Sequence, residues 1–315
     1  MSERDMQDLV SIIERRLGVS WGDVIEWLRQ QNGLDELERR LATGDMASIV
    51  QSVDEAAAKF AADLHAGSVH AGQETAKWLD GGVEDGLIRF DVANTRAAAW
   101  ADKNAATLVR GLTTESRETV RQVIADGVRA GANPREIARD LRDSIGLTPS
   151  QAQAVANYRT QLETGDYSGA LDRALSGAHS DRTIAAAQRA DRALTSDQID
   201  LAVERYRSNY VSYRAEVIAR TEALRAVHAG NHELYRQAIE RGDVDADQLT
   251  REWNHAGHGR NSRPGHVEMQ DQERGIEEPF ENPLTGARLM YPGDPDADVS
   301  ETACCRCAAS TRYVA

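Results

Sequence analysis

The residue types best suited to chemistry lie close together near the C-terminus. All three cysteines fall within four positions, at Cys304, Cys305 and Cys307, and His266 precedes them along the chain. Cysteine sulfur and histidine nitrogen are the ligands that zinc prefers in proteins. We therefore consider a zinc site at His266, Cys305 and Cys307. Three residues are candidates for a fourth ligand: His255, His258 and Cys304.

A cluster without metal is the alternative. Cys305 and Cys307 form a C-x-C pair rather than C-x2-C, and a single C-x-C is a weak zinc signal. In this alternative both cysteines are buried, and His266 hydrogen-bonds to a carboxylate or a carbonyl group. Apart from the candidate zinc, we expect no cofactor.

A second group of polar residues lies on a predicted helix from Val217 to Gly242. At 3.6 residues per turn, its apolar face also carries polar side chains. Buried polar side chains need hydrogen-bond partners, which we expect between Trp253 and Cys307. The polar residues on this face are Arg220, Thr221, His228 and Asn231, and Glu222 lies roughly opposite.

We assign structural roles to the residues of this region. Arg220 is expected to contact carboxylates or backbone carbonyls of the C-terminal segment, as a guanidinium fork can. Trp253 and Phe280 are expected to anchor a small core. His266 and the turn at Cys305 to Cys307 are expected to bring the two ends of this segment together.

Catalytic motifs do not stand out in the sequence. The D-x-D-x-D runs that begin at Asp243 and Asp294 lack the Gly and Glu that a calcium loop requires. The patterns H-E-x-x-H and G-x-x-x-x-G-K do not occur. We therefore predict no enzyme. A metal-dependent nuclease, or another enzyme using the His- and Cys-rich segment, is the alternative.

Composition favours helices and argues against a broad nucleic-acid surface. The 315 residues carry a formal net charge of -14, and aromatic residues make up only 5%. An acidic chain does not bind phosphate backbones over a large area, although a local basic patch is compatible with this charge. No apolar run reaches the roughly 20 residues that span a bilayer. We expect no membrane contact and synthesis in a cytoplasm.

Helix start and stop signals divide the chain into three segments. The predicted fold is mainly α, with an elongated multi-helix N-terminal part and a small, loop-rich α+β C-terminal module. The predicted segments are an N-terminal helical region at 1–112, a helical subdomain with a mobile loop at 113–194, and a long helix with the loop-rich module at 195–315. The strongest start signals are Asn133-Pro134 and Thr148-Pro149.

Weaker signals give more local predictions. Gly18 is expected to break the first helix, and Thr114 is expected to cap a new one. Residues 86–94 alternate enough for a strand. The polar stretch at 165–190 is predicted to be a loop or a short helix.

An ordered set of motifs extends from residue 215 to 310 and resembles the phage Mu F-like head morphogenesis family, also called minor capsid proteins. In chain order, the set comprises I-A-R-T-E at 218–222 with Arg220, Thr221 and Glu222, then Trp253, Arg260, Arg263, His266, Phe280, L-M-Y-P-G-D-P at 289–295, and C-R-C at Cys305, Arg306 and Cys307. The helical segment at 113–162 is also similar to these proteins. One departure is Cys304, because the family usually has Asn at this position.

The resemblance implies a structural role. Such proteins enter the procapsid, bind near the portal vertex and remain in few copies inside the virion. They act in head assembly and in DNA packaging or delivery. The implied partner is the portal protein ring, with the major capsid or scaffolding protein as further candidates, and contact with DNA is left open. The implied location is the virion, after assembly in the host cytoplasm.

Overall fold

The structure is a computed structural model that describes residues 3–80, 91, 94–256 and 262–313. These residues form eleven α-helices and five short β-strands. The predicted fold class, mainly α with a small α+β module at the C-terminal end, is confirmed. Among the described residues, no helix is both long and apolar enough to cross a membrane.

Residue contacts divide the chain into two compact units. The first unit comprises Met1–Ser20, Ala61–Thr107 and Glu216–Ala315, and the second comprises Trp21–Phe60 and Leu108–Ala215. Each of the three predicted segments is one continuous stretch of chain, whereas each unit combines stretches that are separate in the sequence. The reason is that four long helices contribute residues to both units: α1 (Glu3–Gln31), α3 (Met46–Asp80), α4 (Thr95–Ala130) and α9 (Ser196–Arg241).

Shorter helices complete the second unit, and two of them begin where the sequence predicts. They are α2 (Leu34–Thr43), α5 (Pro134–Ser144), α6 (Pro149–Thr164), α7 (Tyr167–Leu171) and α8 (Ala178–Arg189). Asn133 and Thr148 each form a capping box with the side chain three residues later, so the predicted starts of α5 and α6 are confirmed.

Two predicted helix boundaries are wrong. α1 runs through Gly18, and α4 runs through Thr114. A Cβ placed on Gly18 would lie 3.9 Å from Ala219 Cβ, so this glycine lies in a close contact between α1 and α9. Thr114 lies inside the continuous helix α4, where the backbone N–H groups are bonded within the helix and need no capping side chain.

The prediction of a loop or a short helix at 165–190 is wrong, because the segment contains two helices, α7 and α8, that pack into a core. Tyr167, Ala170, Ile184 and Ala187 are buried in one core cluster with the inner faces of α6 and α9. The strand predicted at 86–94 falls almost entirely on residues that the structure does not describe.

The C-terminal module belongs to the first unit and packs around Trp253. Its elements are β1 (Leu249–Asn254), α10 (Pro264–Glu268), β2 (Glu273–Gly275), β3 (Phe280–Glu281), β4 (Arg288–Leu289), α11 (Val299–Thr302) and β5 (Ala308–Tyr313), with one 3-10 turn at Ala246–Gln248. The sheet has the order β2-β1-β5 with antiparallel neighbours, and Trp253 pairs in register with Ala309. β3 and β4 form a separate two-stranded hairpin.

The core of this module is small and contains the cysteines. Trp253 and Phe280 are fully buried with ring centroids 5.3 Å apart, in the edge-to-face arrangement that aromatic pairs favour. Met269 and Leu289 pack in the same cluster, together with Cys305, Cys307 and Leu224 of α9. The module and α9 therefore share one hydrophobic core.

Candidate metal-binding centre of the C-terminal module

Three potential metal ligands converge in the core of the module. His266 Nδ1 lies 3.6 Å from Cys305 Sγ and 3.7 Å from Cys307 Sγ. The ligand atoms of all three residues lie within 4.8 Å of one another. Each residue is 4% exposed or less, so the cluster is shielded from solvent.

The second ring nitrogen of His266 is bound by a buried carboxylate. Nε2 lies 2.9 Å from Oε2 of Glu301, a residue of α11. Asn282 Nδ2 donates to the same Glu301 oxygen at 3.0 Å, and Thr285 Oγ1 donates to Oε1 at 2.7 Å. Glu301 is therefore fixed from three sides and in turn fixes the imidazole ring.

Backbone N–H groups face both sulfurs. The Cys307 N–H donates to Cys305 Sγ, and the Ala256 N–H donates to Cys307 Sγ. Hydrogen bonds of this kind favour the thiolate over the thiol. The cluster thus contains donors for negative sulfur even though it is buried.

The cluster perturbs the pKa values of its members. A hydrogen bond from the Cys307 thiol, together with His266, lowers the pKa of Cys305 well below its usual range. The same contact with Cys305, and burial, raise the pKa of Cys307. Burial lowers the pKa of His266, but the contacts with Cys305 and Glu301 outweigh it and raise the pKa overall. These directions favour a Cys305 thiolate beside His266 and a Cys307 thiol.

Short elements position these groups. His266 lies in α10, which begins at Pro264, the favoured first helical position. Cys305 and Cys307 lie between α11 and β5, at a sharp turn where Cys304 adopts a positive φ of 53°. The turn places both sulfurs on one side, toward α10.

Three of the four polar residues predicted on the inner face of α9 contact β5 or the segment that leads into it. Thr221 Oγ1 accepts the Cys304 N–H at 3.1 Å. His228 donates to the Cys307 carbonyl, and Thr311 Oγ1 lies 3.5 Å from Asn231 Oδ1. The chain around the cysteines is therefore attached to α9 at several positions.

Arg220 does not make the predicted contact. Its Nη2 donates to Glu14 Oε1 of α1 at 2.9 Å, and both side chains are partly exposed. A different arginine of α9 reaches the module, since Arg225 Nη2 donates to Thr302 Oγ1 at 3.3 Å. Arg225 lies one turn further along the helix, where α11 approaches it.

Glu222 is buried on the other side of α9. Asn104 Nδ2 of α4 donates to its Oε2 at 2.9 Å, and Arg225 Nη1 donates to its Oε1 at 2.7 Å. Burial raises the pKa of Glu222 despite both contacts. Glu222 thus joins α9 to α4 within the first unit.

The other predicted motif residues have different environments. Arg263 donates to the backbone carbonyls of Ser300 and Ala303, so it binds both ends of α11. Arg306 is exposed, and Arg260 lies outside the described residues. Of the predicted fourth ligands, His255 and Cys304 do not belong to the described cluster, and His258 also lies outside the described residues.

A cavity of about 310 Å³ adjoins the cluster. Both cysteine sulfurs belong to residues that line it, as do Glu14, Arg220 and His228. His228 Nε2 is buried and has no hydrogen-bond partner. The cavity is therefore polar on the α9 side and next to the sulfurs.

Sequence reasoning missed several supporting residues. Glu301 and Asn282 have ordinary neighbours in the sequence, and only the fold brings them to His266. Arg251 donates to the carbonyls of Gly275, Glu278 and Met290. The sequence offers a signal for Arg251. Leu249, Arg251 and Trp253 occupy every second position of β1, so all three point to the same buried side of the strand.

Comparison with known proteins gives one partial similarity. No family model matches the chain, and no solved structure matches it. The chain is similar to the uncharacterized protein YqbB of Bacillus subtilis (strain 168), with 31% identity over 100 residues. The matched part covers 31% of this chain and 30% of YqbB.

Proposed function

We propose that the protein is a phage minor capsid protein that acts in head morphogenesis. In this role it binds the portal vertex inside the procapsid and supports head assembly and DNA packaging or delivery. The proposal begins from the ordered motif set between residues 215 and 310. The portal as partner follows from the resemblance.

One observation carries the proposal: several motif residues form internal contacts of a single module. Thr221 of α9 binds the turn at Cys304, and His266 lies against Cys305 and Cys307. Arg263 binds the ends of α11 through backbone carbonyls. Motif residues that hold a fold together support a structural protein, whereas a catalytic motif must present reactive groups to a substrate.

The burial of the cysteine–histidine cluster favours this role over a metal-dependent nuclease. A metal that cleaves a phosphodiester must contact both a water molecule and the substrate backbone. Here His266, Cys305 and Cys307 are almost completely buried. The net charge of -14 also opposes the approach of a polyanion.

Co-expression with the portal protein of the same phage genome tests the proposal. A tagged portal should retain the full-length chain through affinity and size-exclusion steps, and native mass spectrometry should show the chain bound to the ring. The portal protein of an unrelated phage is the control and should retain none. Failure of the folded chain to bind its own portal or portal-containing procapsids would contradict the proposal.

A nicking assay tests the nuclease alternative. The purified chain is incubated with supercoiled plasmid and with magnesium, manganese or zinc ions. We expect the plasmid to stay supercoiled. Nicking that requires the metal and disappears in His266→Ala would support the nuclease and contradict a purely structural role.

A further inference from the structure

We propose that His266 Nδ1, Cys305 Sγ and Cys307 Sγ bind one zinc ion, which joins α10 to the turn before β5 within the C-terminal module. The proposal is independent of the portal-binding role, because it depends only on the geometry and chemistry of the first unit.

The distances fit a shared metal ion. In tetrahedral zinc sites with Zn–S near 2.3 Å and Zn–N near 2.0 Å, a sulfur and a nitrogen ligand are roughly 3.6 Å apart. The two observed separations between Nδ1 and sulfur are 3.6 and 3.7 Å. A single imidazole nitrogen has one lone pair and accepts one good hydrogen bond. Two sulfurs at nearly equal distance from it therefore suit a common ion better than two hydrogen bonds.

Glu301 gives His266 the tautomer that binds metal. A carboxylate accepts hydrogen bonds only, so the nitrogen that faces it, Nε2, carries the proton. Nδ1 then presents its lone pair toward both sulfurs. Metal-binding histidines commonly donate their other ring N–H to a carboxylate in this way, which fixes the ring and increases its basicity.

The surroundings supply a hydrogen-bond donor to each sulfur, and a bound metal ion would hold both sulfurs as thiolates. The N–H groups of Cys307 and Ala256 donate to the two sulfurs. In the absence of a cation, two thiolates this close would repel each other in the core. A divalent ion removes this repulsion and neutralises both charges.

A divalent ion balances the charge of two buried thiolates. The zinc ion contributes +2, and Cys305 and Cys307 contribute -1 each. Burial of charge is costly unless charges are balanced, so this balance favours the loaded site.

A bound ion would connect α10 to the turn before β5. His266 lies in α10, and the cysteines lie in the turn before β5. That turn is hydrogen-bonded to Thr221 and His228 of α9. The three protein ligands leave one coordination position of a tetrahedral ion, and both cysteines are among the residues that line the adjoining cavity.

Metal analysis of the full-length chain tests the site. The protein is purified under reducing conditions, loaded with zinc, dialysed and measured by elemental mass spectrometry. We expect one zinc per chain in the wild type and in Cys304→Ser, which changes the neighbouring cysteine outside the cluster. Cys305→Ser and Cys307→Ser should each lose most of the zinc. Wild-type protein without zinc, or equal loss in Cys304→Ser, would overturn the proposal.

Cobalt substitution gives a readout that needs no variant. Cobalt(II) in the wild-type site should show tetrahedral d–d bands and a thiolate-to-cobalt charge-transfer band. X-ray absorption of the zinc form should show two sulfur neighbours. An octahedral cobalt spectrum, no sulfur neighbours, or a Cys305–Cys307 disulfide in the reduced preparation would each contradict the assignment.

Hydrogen exchange tests the effect on the fold. Chelation should increase amide exchange in β1 and β5 and leave the helices of the second unit unchanged, because metal binding is coupled to the folding of the segment that supplies the ligands. Zinc should restore the protection. Unchanged exchange after verified zinc removal would contradict the stabilising role of the ion.

Discussion

Cys304 occupies a backbone conformation that suits a different residue. Its φ of 53° lies in the left-handed region, which asparagine adopts several times more often than most residues. Its N–H is bound to Thr221 Oγ1, so the conformation is held by the contact with α9. Asparagine, the residue usual at this position in the family that the chain resembles, would adopt this φ at lower cost.

Cys304→Asn is expected to stabilise the protein. Relief of left-handed strain should raise the free energy of unfolding by about 0.5–1 kcal/mol. Cys304→Val should lower it, because β-branched residues tolerate positive φ poorly. Chemical denaturation of both variants measures the difference. Equal stability of the asparagine and valine variants would contradict strain at this position.

His228 should make the protein sensitive to acid. Burial lowers its pKa to about 4, although its hydrogen bond to the Cys307 carbonyl favours the charged form. An unfolded histidine titrates near 6.5. The unfolded state therefore binds the proton more readily, and stability falls as the pH drops from about 6.5 to about 4.

His228→Gln isolates this contribution. Between pH 7 and pH 5, the wild type should lose about 2 kcal/mol more stability than the variant, since one pKa unit corresponds to about 1.4 kcal/mol. His179→Gln is the control, because His179 is exposed. Urea denaturation at both pH values checks this. Parallel pH profiles of wild type and His228→Gln would refute a neutral buried His228.

The candidate site was only partly predictable at the residue level. Residue types alone pointed to His266 and the cysteines, because few side chains offer sulfur or imidazole ligands. Glu301 could not be found this way, since exposed and buried glutamates look alike in a sequence. The partner of Arg220 was also misjudged, because Glu14 lies more than two hundred positions away along the chain.

Two glycines of α4 have opposite roles in this helix. A Cβ on Gly127 would lie 2.6 Å from Ile137 Cγ1 of α5, whereas a Cβ on Gly111 would meet nothing within 4 Å. Gly127 is buried, and Gly111 is exposed. Neither has a positive φ, so contact with α5 alone distinguishes them.

Alanine substitution at these two glycines should shift stability in opposite directions. Gly111→Ala should raise the free energy of unfolding by about 0.5–1 kcal/mol through helix propensity. Gly127→Ala should lower it by about 1–3 kcal/mol, because the branched Ile137 side chain must move. Thermal unfolding of the pair provides the measurement. A stabilising Gly127→Ala would show that α4 and α5 are not packed this closely.

At the level of elements, local sequence signals predict where a helix begins better than they predict whether it continues past a glycine. The capping boxes at Asn133 and Thr148 are formed by residues within one turn, so the sequence contains them fully. Gly18 lies inside α1 and packs near Ala219 of α9, a neighbour that is remote in sequence. α8 was not recognised as a core helix because alanine and serine form part of its buried face.

At the level of the whole molecule, the interleaving of two units could not be predicted from segments. Composition and helix signals gave the mainly helical class and the change to a loop-rich C-terminal module. The assignment of chain segments to units depends on which stretches of α1, α3, α4 and α9 contact one another. Such contacts are not encoded in local periodicity.

We propose that this chain is a component of the phage head. The net charge of -14 is compatible with a protein that remains beside packaged DNA without binding it broadly. The hydrogen bonds and the shared core between the C-terminal module and α9 agree with a structural role, in which the module stays folded during assembly.

Mass spectrometry of purified particles tests this claim most directly. DNA-filled heads are isolated from the phage whose genome encodes the chain, and its abundance is measured relative to the portal protein. We predict that the chain is present in few copies per head and resists protease until the heads are opened. A chain that is abundant in the lysate but absent from purified heads and procapsids would contradict the account.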